Sequence, residues 1–529
     1  MLILQHLSYL HPNRELLFST IDLTVNNRDK IALIGNNGAG KSTLLRIIAG
    51  ELEPHEGKVI CDTPPYYIPQ LFGQYNELTI AQALRIDAKL AALKEILAGN
   101  VTEHSLNELN DDWTIEERCR EALQYWQLQE LDLSQKMAAL SGGQKTKVFL
   151  AGIHIHQPQL ILLDEPSNHL DTAGRELLYQ FIATTSSALI VVSHDRKLLN
   201  LLSTVCELSK RGLTVYGGNY DFYYEQKQIA GNALSLDIQS KEKELRKAKE
   251  KERETMERQQ KLDARGKRKQ EKAGVARIMM NTLRNSAENS TAKTKGAHAE
   301  KIDGISGELQ ALRNELPDID KMKFGFDNTA LHKGKVLFTG AGINHSYNNE
   351  KQIWSEPLNF QITSGERIAI RGLNGSGKST LIRIILGDLE PATGAVQRAD
   401  NKYVYIDQDY SLINNKLSVY EQALQYNKTG LQEHEIKIRL TRFLFSKEDW
   451  DKPCNALSGG ERMRLMLCCL TIGNQAPDII VLDEPTNNLD IQNIEILTAA
   501  INDYEGTLIV VSHDEHFTEQ VNIERVINI

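Results

Sequence analysis

Short apolar runs that end in glycine or in acidic residues are the main pattern of this chain. One run, IALI at 31–34, precedes a glycine-rich loop, and the STLLRIIAG stretch after that loop has apolar residues at helical spacing. Two further runs, LILL at 160–163 and LIVV at 189–192, are typical of buried strands. Because such strands alternate with helices, the pattern predicts an α/β fold.

This pattern occurs twice. GNNGAGKSTLLRIIAG at 35–50 returns as GLNGSGKSTLIRIILG at 372–387, and LSGGQ at 140–144 returns as LSGGE at 457–461. The first pair is 337 residues apart (372 − 35), but the second pair only 317 (457 − 140). The first copy therefore holds about twenty extra residues, which we place near 99–113. We predict two homologous domains, 1–218 and 321–529, joined by a connector at 219–320.

The connector has a different pattern. Ile302, Ile305, Leu309, Leu312 and Leu316 follow a 3-4-3-4 spacing, which predicts a short coiled-coil seam. The residues predicted to face this seam across a helical hairpin are Ile229, Ala233, Leu236 and Leu245. From 246 to 273 the apolar stripe nearly vanishes, which predicts a projecting helix, about 45 Å long for thirty residues.

Composition narrows the class of protein. A chain of 529 residues, 41% hydrophobic and 25% charged, fits a soluble protein of two or three domains. No apolar run reaches the roughly 18–20 residues of a membrane span, and the N-terminus does not resemble a signal peptide. The six cysteines have no CxxC spacing, which favours reduced thiols over a zinc or iron–sulfur site. We therefore expect a cytoplasmic protein.

The glycine-rich loops carry the first candidate chemistry. A strand, a G-x-x-x-x-G-K-S loop and a helix N-terminus direct backbone N–H groups at a phosphate chain. Lys41 can reach the β and γ phosphates of a nucleotide, and the Ser42 hydroxyl can bind Mg²⁺. The predicted nucleotide-binding residues of the two loops are Gly35, Asn36, Asn37, Gly38, Ala39, Gly40, Lys41, Ser42, Thr43, Gly372, Leu373, Asn374, Gly375, Ser376, Gly377, Lys378, Ser379 and Thr380.

Two adjacent acids end the LILLDEP strand. Burying both carboxylates is costly without a cation, and a magnesium–nucleotide site supplies one. Asp164 is predicted to hold the magnesium shell, and Glu165 to orient and deprotonate the attacking water. Asp483 and Glu484 repeat the pair in the second copy.

Together, the glycine (Walker A) loops, LSGGQ or LSGGE, the strands that end in Asp-Glu and the following SHD resemble an ABC-type ATPase in both halves. In that family the Ser-Gly-Gly helix N-terminus covers the γ-phosphate held by the opposite domain. The resemblance implies two composite ATP sites within a monomer, with Lys41 facing Ser458 and Lys378 facing Ser141. ATP would close the domains, and hydrolysis would release them. The implied signature residues are Ser141, Gly142, Gly143, Gln144, Ser458, Gly459, Gly460 and Glu461.

The same resemblance assigns roles to residues with weaker signals. Gln70 and Gln408 lie 29 and 30 residues after their lysines (70 − 41; 408 − 378) and resemble the glutamine that senses Mg²⁺ and water. Tyr9 and Tyr347, 32 and 31 residues before those lysines, resemble the aromatic that stacks on adenine. His194 and His513 resemble the γ-phosphate switch, and are implied to be catalytic with Glu165 and Glu484. The implied metal-site residues are Ser42, Gln70, Asp164, Ser379, Gln408 and Asp483.

Four kinds of protein with two such cassettes are possible interpretations of this sequence. A transporter would encode or borrow membrane helices, a DNA-repair ATPase would carry zinc fingers or very long coiled coils, and the ribosome-recycling type would carry an iron–sulfur domain. The fourth kind, the ABC-F group, has two cassettes, no membrane segment and a charged helical linker, and it resembles essentially the whole chain. An ATPase subunit of an ABC transporter is the alternative.

The charge of the linker supports the ABC-F interpretation. Residues 241–301 contain nineteen Lys or Arg and ten Asp or Glu, a net charge of +9, whereas the remainder of the chain carries −18 (−9 − 9). A basic helix fits phosphate backbones, and the residues expected to contact RNA are Arg265, Lys267, Arg268, Lys269 and Lys272. In ABC-F proteins this linker reaches into the ribosome toward tRNA and the peptidyl-transferase centre. A loop of this length resembles members that protect ribosomes from antibiotics.

Overall fold

The structure is a computed structural model of the chain. It describes the backbone outside residues 12–13, 15, 71, 210–211, 273–276, 316–330, 348–351, 374, 429, 474–475 and 488. It describes the side chains of the same residues, except those of 263, 266–272, 277–291, 294 and 314–315. The chain forms two compact units, one of Met1–Tyr223 with Met322–Ile529 and one of Tyr224–Lys321.

The first half of the chain alternates strands and helices. Its strands are β1 Leu2–Leu10, β2 Leu16–Val25, β3 Lys30–Ile34, β4 Glu56–Cys61, β5 Tyr66–Ile68, β6 Leu160–Asp164, β7 Ala188–Val192, β8 Thr204–Ser209 and β9 Gly212–Tyr216. Its helices are α1 Lys41–Ile48, α2 Ile80–Ala83, α3 Asp87–Leu97, α4 Glu103–Leu109, α5 Ile115–Tyr125, α6 Gly142–His156, α7 Thr172–Thr184 and α8 Arg196–Leu199. Two long helices follow, α9 Tyr220–Lys272 and α10 Arg277–Glu315.

The second half repeats the arrangement. Its strands are β10 Val336–Asn344, β11 Leu358–Thr363, β12 Arg367–Arg371, β13 Thr393–Arg398, β14 Tyr403–Ile406, β15 Ile479–Asp483, β16 Thr507–Val511 and β17 Arg525–Asn528. Its helices are α11 Lys378–Leu386, α12 Val419–Gln425, α13 Glu433–Arg442, α14 Gly459–Ile472, α15 Ile491–Asn502 and α16 Glu515–Gln520.

Each half contains one mainly parallel sheet and one small antiparallel sheet. The larger sheets have the orders β5-β6-β7-β3-β8-β9 and β14-β15-β16-β12-β17, and among their described strands only β9 pairs antiparallel. The smaller sheets have the orders β2-β1-β4 and β11-β10-β13. The predicted α/β class, with two tandem domains joined by a helical insert, is confirmed.

The central strands are buried on both faces, as their apolar runs predict. All five residues of β6 and all five of β7 are buried, and β16 repeats this in the second half. Since neighbouring strands run parallel, their carboxyl ends meet at one edge of the sheet, and the polar residue that follows each strand lies at that edge.

The extra residues of the first half form a small helical region. Helix α4 lies within the predicted insert at 99–113, and Leu109 at its end is fully buried. Asp112, which follows, lies 2.7 Å from an Arg118 guanidinium nitrogen and 2.9 Å from Lys89 Nζ. The hydrogen bond from Arg118, with that from Lys89, lowers the pKa of Asp112 to about 2. A charged network therefore holds the insert against the neighbouring helices.

In the second unit, α9 and α10 pair through a short apolar contact. Ile238, Ile305 and Leu309 are buried there, and ion pairs Lys241–Glu308 and Arg313–Glu242 flank them at 2.7 and 2.6 Å. The prediction that Ile229 and Leu236 face α10 is wrong, because these side chains are 56% and 65% exposed. Ala233 is exposed too, Leu245 is half-buried, and Leu316 lies outside the described residues. Ile238 is buried instead. On a mostly polar helix the few apolar side chains form several narrow stripes, and the sequence does not decide which of these stripes packs against the partner helix.

No helix in the described part of the chain is long and apolar enough to cross a membrane.

Candidate functional site

The carboxyl edge of the first large sheet holds a cavity of about 360 Å³. The loop after β3, Gln70 after β5, the acids that end β6 and His194 after β7 all open onto it. Its lining residues are His11, Leu17, Asn37, Gly38, Gly40, Lys41, Ser42, Thr43, Gln70, Asp164, Glu165, Val192, His194 and Ser458. The fold therefore brings together, around one cavity, predicted residues that are far apart in the sequence.

The glycine loop wraps around the lysine amine. Lys41 Nζ donates to Gly35 O at 2.7 Å and to Asn36 O at 3.2 Å, and its side chain is buried. Burial lowers the pKa of Lys41, against the opposing effect of Glu165, Asp490 and Asp164. In the second half, Lys378 Nζ repeats the contacts with Gly372 O and Leu373 O at 2.9 and 3.1 Å. Asn374 of that loop lies outside the described residues.

Glycine is required where the loop turns into helix α1. Gly40 has a φ of 97°, and a Cβ there would lie 2.7 Å from a methyl carbon of Leu17. Gly377 adopts the same conformation before α11, with a φ of 92°. Both helix N-termini thus present unobstructed backbone N–H groups, which is the arrangement that binds phosphate.

The acidic pair is buried next to this loop. Asp164 Oδ1 has no hydrogen-bond partner among the described residues. A buried carboxylate oxygen without a partner is costly, and it suits a hydrated cation. Within the described part of the chain no three His, Cys, Asp or Glu side chains cluster as a metal site. A magnesium ion would thus depend on Ser42, Asp164 and the nucleotide's own oxygens, a set that fits this ion.

The glutamate that follows each aspartate has a strained backbone. Glu165 and Glu484 have φ values of 51° and 49°, in the left-handed region that non-glycine residues rarely adopt. Each backbone N–H donates to the neighbouring strand at 2.8 Å, to Val192 O and Val511 O respectively. Strain of this kind persists only where the surroundings over-determine it, and it is concentrated at functional sites. Here it turns each side chain out of the strand and into the site.

A histidine touches each glutamate. His194 Nε2 lies 3.1 Å from Glu165 Oε1, and His513 Nε2 lies 3.4 Å from Glu484 Oε1. Burial lowers the pKa of both histidines, that of His194 far below its usual value and that of His513 to about 4. It raises the pKa of both glutamates, that of Glu484 to about 7. All four shifts have the same cause, since burial disfavours the charged form of each group.

Residues from the opposite half enter both sites. Ser458 lines the first cavity, and Asp490 Oδ2 accepts a hydrogen bond of 2.8 Å from the Asn37 N–H. Around the second site, Thr172 Oγ1 lies 3.4 Å from His513 Nδ1. Arg175, from the same helix as Thr172, lowers the pKa of Glu484 against the stronger effect of burial. Ser141 caps helix α6, where its hydroxyl accepts a hydrogen bond from the Gln144 N–H.

At the first cavity the structure places the ring of His11 beside the expected Tyr9, with the ring centroids 6.0 Å apart. His11 lines the cavity, whereas Tyr9 is not among the described lining residues and has its ring 6.2 Å from that of Phe18. Tyr347 is 55% exposed, and its hydroxyl lies 3.0 Å from Thr380 Oγ1. His11 precedes Lys41 by 30 residues (41 − 11), close to the 31 (378 − 347) between Tyr347 and Lys378, so spacing alone could have suggested it.

Sequence reasoning also missed Asp171 and Asp490. Each follows its strand-ending aspartate by seven residues (171 − 164; 490 − 483), in SNHLD and TNNLD. This repeated spacing was the available signal. Of the predicted RNA-contacting residues, Arg265 is exposed, and the side chains of Lys267, Arg268, Lys269 and Lys272 lie outside those that the structure describes.

Comparisons with known proteins agree with these motifs. A family model described as ABC transporter matches residues 18–168 and 355–487. The ATP-binding protein YdiF of Bacillus subtilis is 32% identical over 96% of this chain and 76% of its own length. ABC transporter F family member 5 of Arabidopsis thaliana is 29% identical over 96% of this chain and 71% of its own.

Solved structures show the same fold. The RNase-L Inhibitor superposes with a TM-score of 0.60 at 19% identity, over 99% of this chain and 87% of its own. The archaeal ribosome recycling factor aABCE1, in complex with a ribosomal stalk protein, gives 0.56 at 19% identity, over 99% and 87%. With two Walker loops, two signature helices and matches along nearly the whole sequence, the chain belongs to the ABC family of ATPases.

Proposed function

We propose that this ATPase binds the ribosome in its ATP-closed state and that its linker reaches toward the tRNA and the peptidyl-transferase region. The observation that carries the proposal is the segregation of charge. The linker residues 241–301 carry +9 (19 − 10), while the rest of the chain carries −18. An acidic body with one basic helical segment suits a phosphate-rich partner that the linker alone contacts.

The exposed surface of α9 supports a partner outside the protein. Arg246 and Arg253 are 82% and 83% exposed, although each pairs with a glutamate four residues later. Charge-balanced i,i+4 pairs of this kind suffice for solubility, and the excess of positive charge is largest beyond them, in 261–272, with six Lys or Arg against two Asp or Glu. The excess therefore calls for another explanation, and RNA phosphates provide one.

ATP would control this binding through closure. In each site, the loop N–H groups and the lysine hold the phosphates, and the glutamate accepts a proton from the attacking water. Burial brings the pKa of Glu484 to about 7, near the operating pH that suits a general base. Mg²⁺, when bound, would neutralise charge on the β and γ phosphates. Contacts such as Asn37 with Asp490 would form on closure and be lost after hydrolysis.

The test uses the Glu165→Gln/Glu484→Gln protein, which traps ATP, in cosedimentation with ribosomes at several salt concentrations. In that background, reversing charge at Arg265, Lys267, Arg268 and Lys269 should weaken binding and lower the slope of log affinity against log salt, by about 0.9 or less per lost phosphate contact. ATPase activity of the same variant without ribosomes, in the otherwise native chain, should not change.

A matched control reverses four exposed lysines of the second half: Lys333, Lys335, Lys416 and Lys428. It changes the net charge of the protein equally, so an equal loss of binding would show that only global charge matters. Unchanged ribosome binding by the linker variant would reject the RNA-binding role. ATP-dependent sedimentation with membranes instead would favour the ATPase subunit of a transporter.

A more specific role, protection against antibiotics, is tested by the drug sensitivity of cells that express the protein. We propose that the extended linker protects ribosomes from antibiotics of the peptidyl-transferase region. Replacing Ile278, Met279, Met280 and Leu283, which lie outside the described side chains, with Ser should then abolish protection while ribosome binding persists. Equal drug sensitivity with and without the native protein would instead indicate a housekeeping factor.

A further inference from the structure

A tyrosine hydroxyl contacts the strand-ending aspartate in both halves of the molecule. Tyr67 Oη lies 3.4 Å from Asp164 Oδ2, and Tyr405 Oη lies 2.7 Å from Asp483 Oδ2. Tyr67 is on β5 and Tyr405 on β14, each three residues before the glutamine that follows its strand (70 − 67; 408 − 405). The same contact therefore arises twice, at equivalent places.

The register of the sheets explains why. Tyr67 pairs with Leu162, and Tyr405 pairs with Val481, each two residues before the aspartate of the neighbouring strand (164 − 162; 483 − 481). A long phenol side chain at that register can span the two residues to the carboxylate at the strand end. A shorter side chain at the same position would not reach it.

We propose that Tyr67 and Tyr405 are positioning residues for ATP hydrolysis, which hold the aspartate ready for the metal–nucleotide complex. The hydroxyl engages Oδ2, and in the first half it leaves Oδ1 of Asp164 buried and without a partner. The P-loop serine approaches the same group, since Ser379 Oγ lies 3.5 Å from Asp483 Oδ2. Serine, aspartate and tyrosine thus form one chain of contacts across the sheet edge.

A tyrosine suits this role because it donates a hydrogen bond without carrying charge. A lysine or arginine at the same place would neutralise the carboxylate and compete with the cation for it. A phenylalanine would fill the same space and leave the carboxylate free to rotate. The hydroxyl therefore fixes the orientation of the aspartate while preserving the negative charge that attracts the metal.

The neighbouring tyrosines on the same strands provide matched controls. Tyr66 Oη donates to Phe149 O at 3.1 Å, and Tyr403 Oη donates to Asp388 Oδ1 at 3.1 Å. Tyr403 is the sharper control, because its hydroxyl also engages a carboxylate, but one outside the site. Tyr403→Phe removes the same atom from the same strand as Tyr405→Phe.

The experiment measures the binding of Mn²⁺ by electron paramagnetic resonance, with full-length protein and a non-hydrolysable ATP analogue. For Tyr67→Phe/Tyr405→Phe, the Mn²⁺ concentration at half-saturation should rise about three- to tenfold, as expected for the loss of a single orienting hydrogen bond at each site. Binding of the analogue without divalent cation should not change. The Mg²⁺ concentration that half-activates ATPase activity should rise in parallel, with activity at saturating Mg²⁺ within about twofold of the native protein.

Two outcomes would overturn the proposal. One is a Mn²⁺ affinity equal to that of the native protein or of Tyr403→Phe. The other is an equal loss of metal-free nucleotide binding, which would indicate general damage to the site. Should the double variant unfold at a lower temperature, Tyr405→Phe alone decides, because the contact of Tyr405 with its aspartate is the shorter of the two, 2.7 Å against 3.4 Å. The result does not depend on ribosome binding, so each proposal can fail separately.

Discussion

The two ATP sites share their motifs but differ in how much water reaches them. In the first half, Lys41 and Asp164 are buried, at 7% and 2% exposure, whereas Lys378 and Asp483 are only half-buried. Asp490 accepts a hydrogen bond from the loop of the first site, and its counterpart Asp171 raises the pKa of Lys378 against the stronger effect of burial. Both sites thus receive an aspartate from the opposite half, yet their burial differs, so a shared motif does not imply equal sites.

The signature segments differ in a second, paired way. Glu461 in the second half replaces Gln144 of the first, and Lys452 replaces Gln135 at the matching position (452 − 317). Lys452 Nζ lies 2.8 Å from Glu461 Oε1, so the added negative charge is matched by a positive one. An ion pair in one half thus corresponds to two neutral amides in the other.

The largest expected effect is on hydrolysis. Glu165→Gln with Glu484→Gln keeps the shape and hydrogen bonding of both sites, so ATP should still bind, but the bases are lost. We expect hydrolysis to fall at least about 100-fold and the domains to remain closed. Each single variant leaves one site active, which measures how unequal the two sites are. A double variant that hydrolyses ATP at the native rate would contradict the assignment of the base.

The signature serines should show a smaller effect, specific to one site. In the Glu484→Gln background only the first site can hydrolyse ATP. There Ser458→Arg should reduce the remaining rate about tenfold or more, because a guanidinium would fill space that the γ-phosphate needs in the cavity that Ser458 lines. Ser141→Arg in the same background is the control and should have little effect. The opposite ranking of the two variants would exclude the crossed arrangement.

The smallest expected effect concerns the ion pair. Lys452→Gln leaves the charge of Glu461 unbalanced close to the phosphate position, and ATP affinity of the first site should fall about two- to fivefold. Lys452→Gln/Glu461→Gln reproduces the Gln135 and Gln144 arrangement and should restore affinity. Fluorescent nucleotide titration of the four members of this cycle measures the coupling. A double variant as weak as Lys452→Gln would show that the pair does not act on ATP.

Much of the fold was predictable because the signals are local. Apolar runs such as those before Gly35 and Asp164 predict buried strands, and parallel strands place their carboxyl ends together. The residues that follow β3, β5, β6 and β7 and line the cavity around Lys41 could be predicted from that rule. The residues of the opposite wall could not be predicted in this way. Asn37 and Asp490 are 453 positions apart in the sequence and meet only through the packing of the two halves.

Two details of the prediction were left open for physical reasons. Tyr9 and His11 are only two residues apart, so spacing before Lys41 does not decide which of the two rings lines the first cavity. In the linker, Ile238 is buried while Leu236 is exposed, because a helix with few apolar residues does not fix its own rotation. A pattern that many residues share predicts the strand or helix that they form. The position of a single residue is predicted less well, because nothing else in the sequence supports it.

The hydrogen bond between Asn37 and Asp490 also has a consequence for how the gene can evolve. Each ATP site is built from both halves of a single gene, so a mutation in one half alters a site whose loop is encoded in the other. Neither half can diverge freely after duplication, since every change must remain compatible with a partner hundreds of codons away. Differences such as Lys452 with Glu461 are then expected to arise in pairs, because a change to one residue alone leaves a charge unmatched.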